Sequence, residues 1–467
     1  MSTQRKVVVI GAGPAGYVCA IRLAQLGQDV TIVERDQLGG TCLNVGCIPS
    51  KALIAAGAHL ERIEHGKVMG VTAESVSLDL GQLVEWKQGI VARLTGGVGT
   101  LLKKHGCRVV HGAAKILGPG AVQVTGSEGQ TQLTADEVVI ATGSVPIEIP
   151  GFAFDEKDVW SSTGALSPDR VPEHLVVIGG GYIGLELGFM YAKLGSQVTV
   201  LEATPGALPG QDADCVKVIE RSLKKRRIKL NTETFAQGYE RRGDKLFVRI
   251  KNAKGESEIE CDQILSTVGR RPYSAGLGLD AVGLQTDKHG FLAVDDQMRT
   301  PVAGFWAIGD LAGQPMLAHK GSREGVVAAG AIAGKDERFD VRCVPAVIFT
   351  APEMASVGAS EAELTEAGRS FKVGKFPFAA SGRAMSLMET EGFVKVLADA
   401  ETDELLGVHM VGPEVCELIA EAALAIEMGA TAEDIARTIH AHPTLPEAFM
   451  EAAEAVEGMA LHIFQPK

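Results

Sequence analysis

Lys6 to Ile10 is a short apolar run rich in β-branched side chains, which predicts a buried strand. Gly11-Ala12-Gly13-Pro14-Ala15-Gly16 follows and opens a stretch to Leu26 with helical patterning. Asp29 to Val33 is a second strand-like run that ends at Glu34. Strand, glycine turn, helix, strand and acid, in that order, predict a dinucleotide-binding βαβ unit. The arrangement recurs: Leu175 to Ile178 reads as strand, Gly179-Gly180-Gly181-Tyr182-Ile183-Gly184 as turn, the helix runs to about Leu194, and Gln197 to Leu201 leads to Glu202. One such glycine pattern says little, but two with the same spacing to the acid are specific. Gly11 and Gly179 make the tight turn, Gly13 and Gly181 admit pyrophosphate to the backbone, and Gly16 and Gly184 allow close helix packing. Glu34 and Glu202 would accept hydrogen bonds from ribose hydroxyls, and a carboxylate at 202 would repel a 2'-phosphate, favouring NAD over NADP. The plainer alternative is ordinary βα turns with acids exposed at strand ends.

Glu137 to Thr142 reads as a strand, followed by Ala141-Thr142-Gly143-Ser144, where the chain is expected to cross out of the first domain. Gln263 to Gly269 and Gly304 to Asp310 are further apolar strands, ending in Gly269-Arg270-Arg271-Pro272 and Gly309-Asp310. From about Val344 the pattern changes to hairpin-like strands, Gly392 to Leu397 and Leu405 to Val411, then helices Glu414 to Met428 and Leu445 to Glu457. The expected fold is α/β: two Rossmann-like domains at 1–149 and 150–271, a central segment 272–343 returning to the first, and an α+β domain at 344–467.

The length of 467 residues suits about three domains, and 46% hydrophobic composition is ordinary for a globular protein. A net charge of -13 argues against nucleic acid as the main partner and favours a basic site on a partner protein. Met1 to Val7 runs almost directly into the first strand without leader character, so the expected setting is cytoplasmic, with a processed mitochondrial matrix form as the alternative. The longest apolar run, Leu175 to Leu185, is too short to span a bilayer. The eight cysteines lack metal-site clustering, so no metal is expected.

Two of those cysteines, Cys42 and Cys47, stand in Gly39-Gly40-Thr41-Cys42-Leu43-Asn44-Val45-Gly46-Cys47-Ile48-Pro49-Ser50-Lys51, just past the first nucleotide unit. Residues five apart on an ideal helix lie roughly 8.7 Å apart at Cα, whereas a disulfide needs about 4.4 to 6.8 Å. A regular helix cannot join them. Gly46 and Pro49 therefore suggest an irregular turn from Cys42 to Cys47 feeding a helix from about Pro49, with Cys47 at a helix N-terminus where thiolate is favoured. Two thiols beside a dinucleotide site suggest redox chemistry; the alternative is two buried, unpaired small hydrophobes.

A second candidate is His440-Ala441-His442-Pro443-Thr444-Leu445-Pro446-Glu447. Pro443 biases His442 toward an extended conformation, and Thr444-x-x-Glu447 fits a capping box. Glu447 either serves that cap alone or also orients and charges His442 as a base, and the two roles can coexist. His440 reads as a structural histidine.

With these residues assembled, the chain resembles, essentially end to end, the class I FAD-dependent pyridine nucleotide-disulfide oxidoreductases. The resemblance is carried by Gly11 to Gly16, Gly39 to Lys51, Ala141-Thr142-Gly143, Gly179 to Glu186, Thr267 to Pro272, Gly309-Asp310, Phe349-Thr350-Ala351-Pro352-Glu353 and His442 to Glu447. It implies FAD in the first nucleotide domain, NAD in the second, and dimerisation through the last. It further implies FAD contacts from Gly11, Gly13, Gly16, Glu34, Thr41, Lys51, Gly112, Thr142, Gly143, Asp310, Leu317, Ala318 and His319, and NAD contacts from Gly179, Gly181, Gly184, Glu202 and Gly269.

The catalytic set implied is Cys42 and Cys47 as redox disulfide, His442 with Glu447 as base, and Lys51 near the flavin with Glu186 as its acidic partner; the plainer roles are a solvated helix lysine and an exposed helix acid. Within the family, Ile48-Pro49-Ser50-Lys51 and Glu202 resemble the NAD-dependent members that reoxidise protein-bound dihydrolipoyl groups. Members that reduce mercury add a terminal cysteine pair, which Ile463-Phe464-Gln465-Pro466-Lys467 lacks; Pro446 departs from the serine many relatives carry there. The implied assembly is a homodimer in which His442 of one copy serves Cys42 of the other. The implied partners are the lipoylated acyltransferase (E2) of a 2-oxo acid dehydrogenase complex or a glycine-cleavage carrier protein, the lipoyl group being expected on another chain. Another flavin-dependent disulfide or quinone reductase, or a largely structural subunit of a complex, remains the alternative.

Overall fold

A computed structural model describes residues 4–465. The chain divides into two compact units: residues 1–148, 161–170 and 269–340 form the first, and 149–160, 171–268 and 341–467 the second.

The first unit is built on a five-stranded parallel sheet in the order Phe305–Ala307, Glu137–Ile140, Lys6–Ile10, Asp29–Glu34, Arg108–His111. A parallel sheet is covered on both faces, so its strands must be apolar throughout. Lys6–Ile10 shows this directly. Val7 and Val9 pack with helices Pro14–Gln25 and Ala318–Ile332, while Val8 and Ile10 pack with the antiparallel strands Ala113–Gly118, Ala121–Gly126 and Gly129–Thr134. Ser144–Pro146 pairs antiparallel with Arg270–Pro272, so the exit and return of the chain form one short ribbon.

In the second unit the parallel order is Lys229–Asn231, Gln197–Leu201, His174–Ile178, Gln263–Ser266, Val159–Trp160. Its face packs with an antiparallel meander, Phe235–Arg242, Lys245–Asn252 and Gly255–Cys261, through Val176, Leu201, Val248 and Ile250. The same unit carries a five-stranded antiparallel sheet, ordered Ala346–Ile348, Glu353–Gly358, Leu405–Gly412, Phe393–Asp399, Phe371–Pro377, against helices Val415–Met428 and Glu447–Glu454.

Two local expectations change. Residues 42 to 47 are not an irregular turn: Gly40–Val45 is a helix of its own, and a second helix, Cys47–His65, begins immediately after Gly46. A single residue breaks the path, because Gly46 adopts φ -142° and ψ -115°, and a Cβ there would lie 2.8 Å from the Thr41 carbonyl oxygen. Pro49 falls in the first turn of the second helix, where the missing N–H costs nothing. By composition alone the stretch Gly40–Met69 is long and apolar enough to cross a membrane, but it is interrupted at Gly46 and its second helix packs against Leu80–Lys104.

The other change is at Thr444. Only half a capping box forms: Glu447 Oε2 accepts the Thr444 amide at 2.7 Å, while the Thr444 hydroxyl donates to the Ala441 carbonyl at 2.6 Å instead of capping the helix. The helix starts at Glu447 itself.

Candidate active site

Both glycine turns have room where a pyrophosphate would sit and none where the helix must pack. At Gly13 an added Cβ would meet only the Gly40 Cα, at 3.9 Å, and at Gly181 nothing within 4 Å. At Gly16 and Gly184 it would lie 1.9 and 2.1 Å from the carbonyl oxygens of Gly11 and Gly179. Gly11 and Gly179 have φ of +103° and +106°, the left-handed region that only glycine adopts without strain. The residues present fit a dinucleotide in each copy.

The strand-end acids do more than await a ribose. Glu34 accepts the Ala12 amide on Oε2 and the Asp36 amide on Oε1, each at 2.8 Å. Glu202 repeats this with the Gly180 and Thr204 amides, each at 2.7 Å. Each carboxylate therefore ties down its own glycine turn while keeping lone pairs for a ligand. Neither pair of contacts was anticipated from spacing alone.

Around the first turn, Gly112 donates to the Glu34 carbonyl at 2.8 Å and has φ +147°. Thr142 spends its hydroxyl on the Tyr273 carbonyl at 2.6 Å, and Gly143 has φ +68°. Asp310 accepts from the Ser144 hydroxyl, which itself accepts from Arg270 Nε at 2.8 Å. Leu317, Ala318 and His319 lie at the start of helix Ala318–Ile332, whose first amides point toward its N-terminal end. Sequence reasoning missed the ion pair behind them: Lys320 and Glu324, both buried, meet at 2.7 Å, and Glu324 also accepts the Gly309 amide at 2.7 Å, fixing the turn that carries Asp310. Burial pushes the Glu324 carboxyl up despite Lys320. The four-residue spacing of lysine and glutamate was the available signal. Gly269, with φ +121°, accepts the Ile147 amide at 3.0 Å in the first unit, whereas Glu202 belongs to the second.

Cys42 is half-buried and Cys47 exposed. Their thiols are hydrogen-bonded, and that bond, with burial, pushes the Cys42 thiol well up while Lys51 pulls the other way. Cys47 is the first residue of its helix, and Lys51 follows one turn later. Thr41 lies beside Cys42 on the preceding short helix. Asn44, unnoticed in the sequence, clamps that helix by donating to the Leu38 and Gly40 carbonyls at 3.0 and 2.9 Å. Tyr17 is a second neighbour that spacing did not reveal; burial, then Cys42, raise its phenol.

In the second unit His442 Nδ1 donates to Glu447 Oε1 at 2.8 Å. The imidazole is 81% exposed, so Nε2 is left as an accessible acceptor. Burial pushes the Glu447 carboxyl up, but the Thr444 amide and then His442 outweigh it and hold it below the usual carboxylate range. His440 is held between the Thr438 carbonyl and Glu421, at 2.8 and 2.9 Å, as a structural histidine. Glu186, buried on helix Tyr182–Leu194, accepts the Phe349 amide at 2.9 Å.

Residues 5–325 match the model of the pyridine nucleotide-disulphide oxidoreductases, and residues 344–453 match that family's dimerisation domain. The chain belongs to this family. It is 48% identical to a dihydrolipoyl dehydrogenase of Haloferax volcanii over 99% of this chain and 98% of that protein. It is 49% identical to one of Thermus scotoductus over 98% of each. Among solved structures, LpdA from Mycobacterium tuberculosis superposes with a TM-score of 0.90 at 29% identity, over 96% of this chain and 99% of that one. The HOCl-induced flavoprotein disulfide reductase RclA from Escherichia coli, solved as a Cu(II) complex, gives 0.87 at 26% identity over 97% and 99%. These likenesses span both nucleotide turns, the cysteine pair and the His442 segment.

Proposed function

We propose that this flavoprotein is an NAD-dependent dihydrolipoyl dehydrogenase that reoxidises protein-bound dihydrolipoyl groups. The observation that carries the reading is the Cys42–Cys47 pair, brought within hydrogen-bond reach across a one-residue helix break, in a chain matching dihydrolipoyl dehydrogenases end to end. FAD and NAD are its cofactors; when bound, FAD supplies the electron relay between dithiol and nicotinamide. Gly11, Gly13, Gly16, Glu34, Gly112, Thr142, Gly143, Asp310 and the 317–319 amides would hold the first, and Gly179, Gly181, Gly184, Glu202 and Gly269 the second.

The thiol chemistry belongs to the chain. A substrate thiol of ordinary pKa, about 8.5, is only about 3% thiolate at pH 7. His442 Nε2 takes its proton as the sulfur attacks Cys42 of the oxidised pair; the Cys42–Cys47 bond breaks and Cys47 leaves as thiolate. The second substrate thiol then displaces Cys42, closing the lipoyl disulfide, and its proton passes to the departing Cys42 sulfur, which leaves as a thiol. Glu447 holds the imidazole tautomer and stabilises its positive charge, and Lys51 offsets negative charge at the cysteines.

The working form is a homodimer in which one copy's His442 serves the other's Cys42. The exposed apolar side chains of Leu424, Met428, Ile439, Leu461 and Phe464 support a covered face on the dimerisation domain. The lipoyl donor is a lipoylated acyltransferase of a 2-oxo acid dehydrogenase complex or a glycine-cleavage carrier, and a basic docking segment suits the charge of -13. A reducing, cytoplasmic setting suits thiols at Cys19, Cys107, Cys215, Cys261, Cys343 and Cys416.

Steady-state turnover with lipoamide, glutathione and quinones, each with NADH and NADPH, tests the activity: NADH with lipoamide should dominate, and preference for NADPH or a quinone would displace the reading. Mixing Cys42→Ser with His442→Ala subunits tests the shared site, because only heterodimers can regain one intact centre; no recovered lipoamide activity would count against it.

A further inference from the structure

The segment after helix Glu447–Glu454 folds back along it and is fastened at one carboxylate. Glu451 is buried, and its Oε2 accepts the Leu461 and His462 amides at 3.0 and 3.3 Å while Oε1 accepts from His462 Nδ1. Gln465 Nε2 adds a bond to the Ala455 carbonyl at 3.1 Å, and Ile463 packs on the domain core. Glu451 stands four residues after Glu447, so the two carboxylates share one face of the helix. One helix thus carries two histidine–glutamate pairs in tandem, His442 on Glu447 and His462 on Glu451.

We propose that His462 is a positioning residue for the dithiol reaction: pinned on Glu451, it fixes the turn that bears Glu447 and places a positive charge beside that carboxylate. The inference rests on the reading of His442 and Glu447 as the base. The groups facing His462 from the helix are Glu447, Glu451 and Glu454, the last half-buried with its enclosed Oε2 unpartnered; Glu457, one turn on, is taken by Lys372. Glu451, then Glu447 and Glu454, raise the His462 imidazole, so its charge extends toward neutral pH, and that charge helps hold Glu447 down. Without it, the negative charge at Glu447 is less compensated and a proton on His442 is held more firmly. The acid limb of dithiol turnover then moves to higher pH.

The test uses full-length holoenzyme carrying His462→Ala or His462→Gln, with kcat/KM for dihydrolipoamide measured against pH, and NADH-linked ferricyanide reduction, which needs no dithiol base, as the parallel readout. Because His462 is largely exposed, water screens its charge, and a unit charge roughly 10 Å away through an effective dielectric of about 40–80 is worth roughly 0.3–0.6 pH unit. His462→Ala should displace the acid limb upward by that amount, about a two- to fourfold loss below it, and lower the high-pH plateau. His462→Gln keeps a neutral donor for Glu451, so the plateau should return while the limb stays displaced. Ferricyanide reduction should hold in both. A wild-type pH profile in His462→Ala at full FAD content overturns the proposal, as does a parallel loss of both activities, which means a merely structural tail. His442→Gln separates the two readings: if it cuts dithiol turnover while His462→Ala does not, only the role of His462 falls; if it leaves turnover intact, the base reading falls and this inference with it.

Discussion

Lys395 is 1% exposed, and its ammonium donates to Asp212 at 2.9 Å, to Asp214 at 3.0 Å and to Glu361. Asp212 is also the N-cap of helix Ala213–Lys225, with Oδ1 accepting the Asp214 and Cys215 amides, each at 3.1 Å. One buried cation therefore ties the second nucleotide fold to strand Phe393–Asp399 of the dimerisation domain. Lys395→Met keeps much of the stem's volume but leaves Asp212, whose side chain is 4% exposed, charged and without its counter-ion. Removing one member of a buried pair costs about 3–5 kcal/mol, whereas Asp214 and Glu361 are exposed enough to re-solvate and add about 0–1 kcal/mol.

Adding Asp212→Asn removes the stranded charge and keeps a capping side chain, so the double variant should recover at least half of the loss. Guanidinium unfolding followed by Trp160 fluorescence, in a background with Trp86 and Trp306 replaced by Phe, reports on this unit alone. A loss below about 1 kcal/mol, or a double variant no better than the single, refutes the reasoning.

The pH dependence has a definite sign. Burial pushes Asp212 up, but Lys395 outweighs it, and Lys395 also holds Asp214 down, so their contribution is present above the ordinary carboxylate range and lost as pH falls through the lowered folded values. Burial pulls Lys395 down, but the three carboxylates prevail and hold it above its ordinary value, so its contribution is complete below about pH 10.4 and lost only above that. In Lys395→Met burial acts on Asp212 without the opposing ammonium and raises it, so the stability gap to wild type should be widest from about neutral pH to about pH 9 and shrink steadily as pH falls toward and through the ordinary carboxylate range.

Cys47→Ser should abolish dihydrolipoamide turnover while FAD content stays normal, because the remaining Cys42 has no disulfide partner; absorbance for bound FAD alongside turnover checks this, and surviving turnover would remove Cys47 from the redox pair. Glu202→Ala should orphan the Gly180 and Thr204 amides as well as the ribose contact, weakening NAD affinity by about 1–3 kcal/mol, or roughly 5- to 150-fold. Calorimetric NAD titration reads it, and an unchanged Kd would mean that the turn stands without its acid.

What was legible before the structure was what the backbone dictates locally. A strand that must turn sharply into a helix beneath a pyrophosphate needs glycine at fixed offsets, so Gly11, Gly13 and Gly16 and their repeat announced both nucleotide folds. The helix break at Gly46 was half legible: the cysteine spacing correctly excluded one regular helix, but not the two helices that abut there. Their solution uses a backbone conformation that leaves no room for a side chain at residue 46. Lys395 gave no signal, because its partners lie up to 183 positions away and a lone lysine in a hairpin strand reads as a solvent-facing residue. Thr444 misled for a related reason: its spacing to Glu447 fits a cap, but the hydroxyl has a nearer acceptor in Ala441.

The strand-end acids show where local rules and function become inseparable. In both copies a single carboxylate binds the amide of the turn's second residue and that of the residue two places beyond itself. Four separate amides thus converge on two side chains in units with different ligands. The shared requirement is a glycine turn held open with its amides oriented before any ligand arrives, and the acid meets it without being consumed, since each carboxylate oxygen retains a free lone-pair direction. Specificity for an unphosphorylated ribose then follows from the same charge that organises the turn. A change at Glu202 made to admit a 2'-phosphate must therefore replace two backbone contacts as well as remove a repulsion, and a basic substitution alone cannot do both.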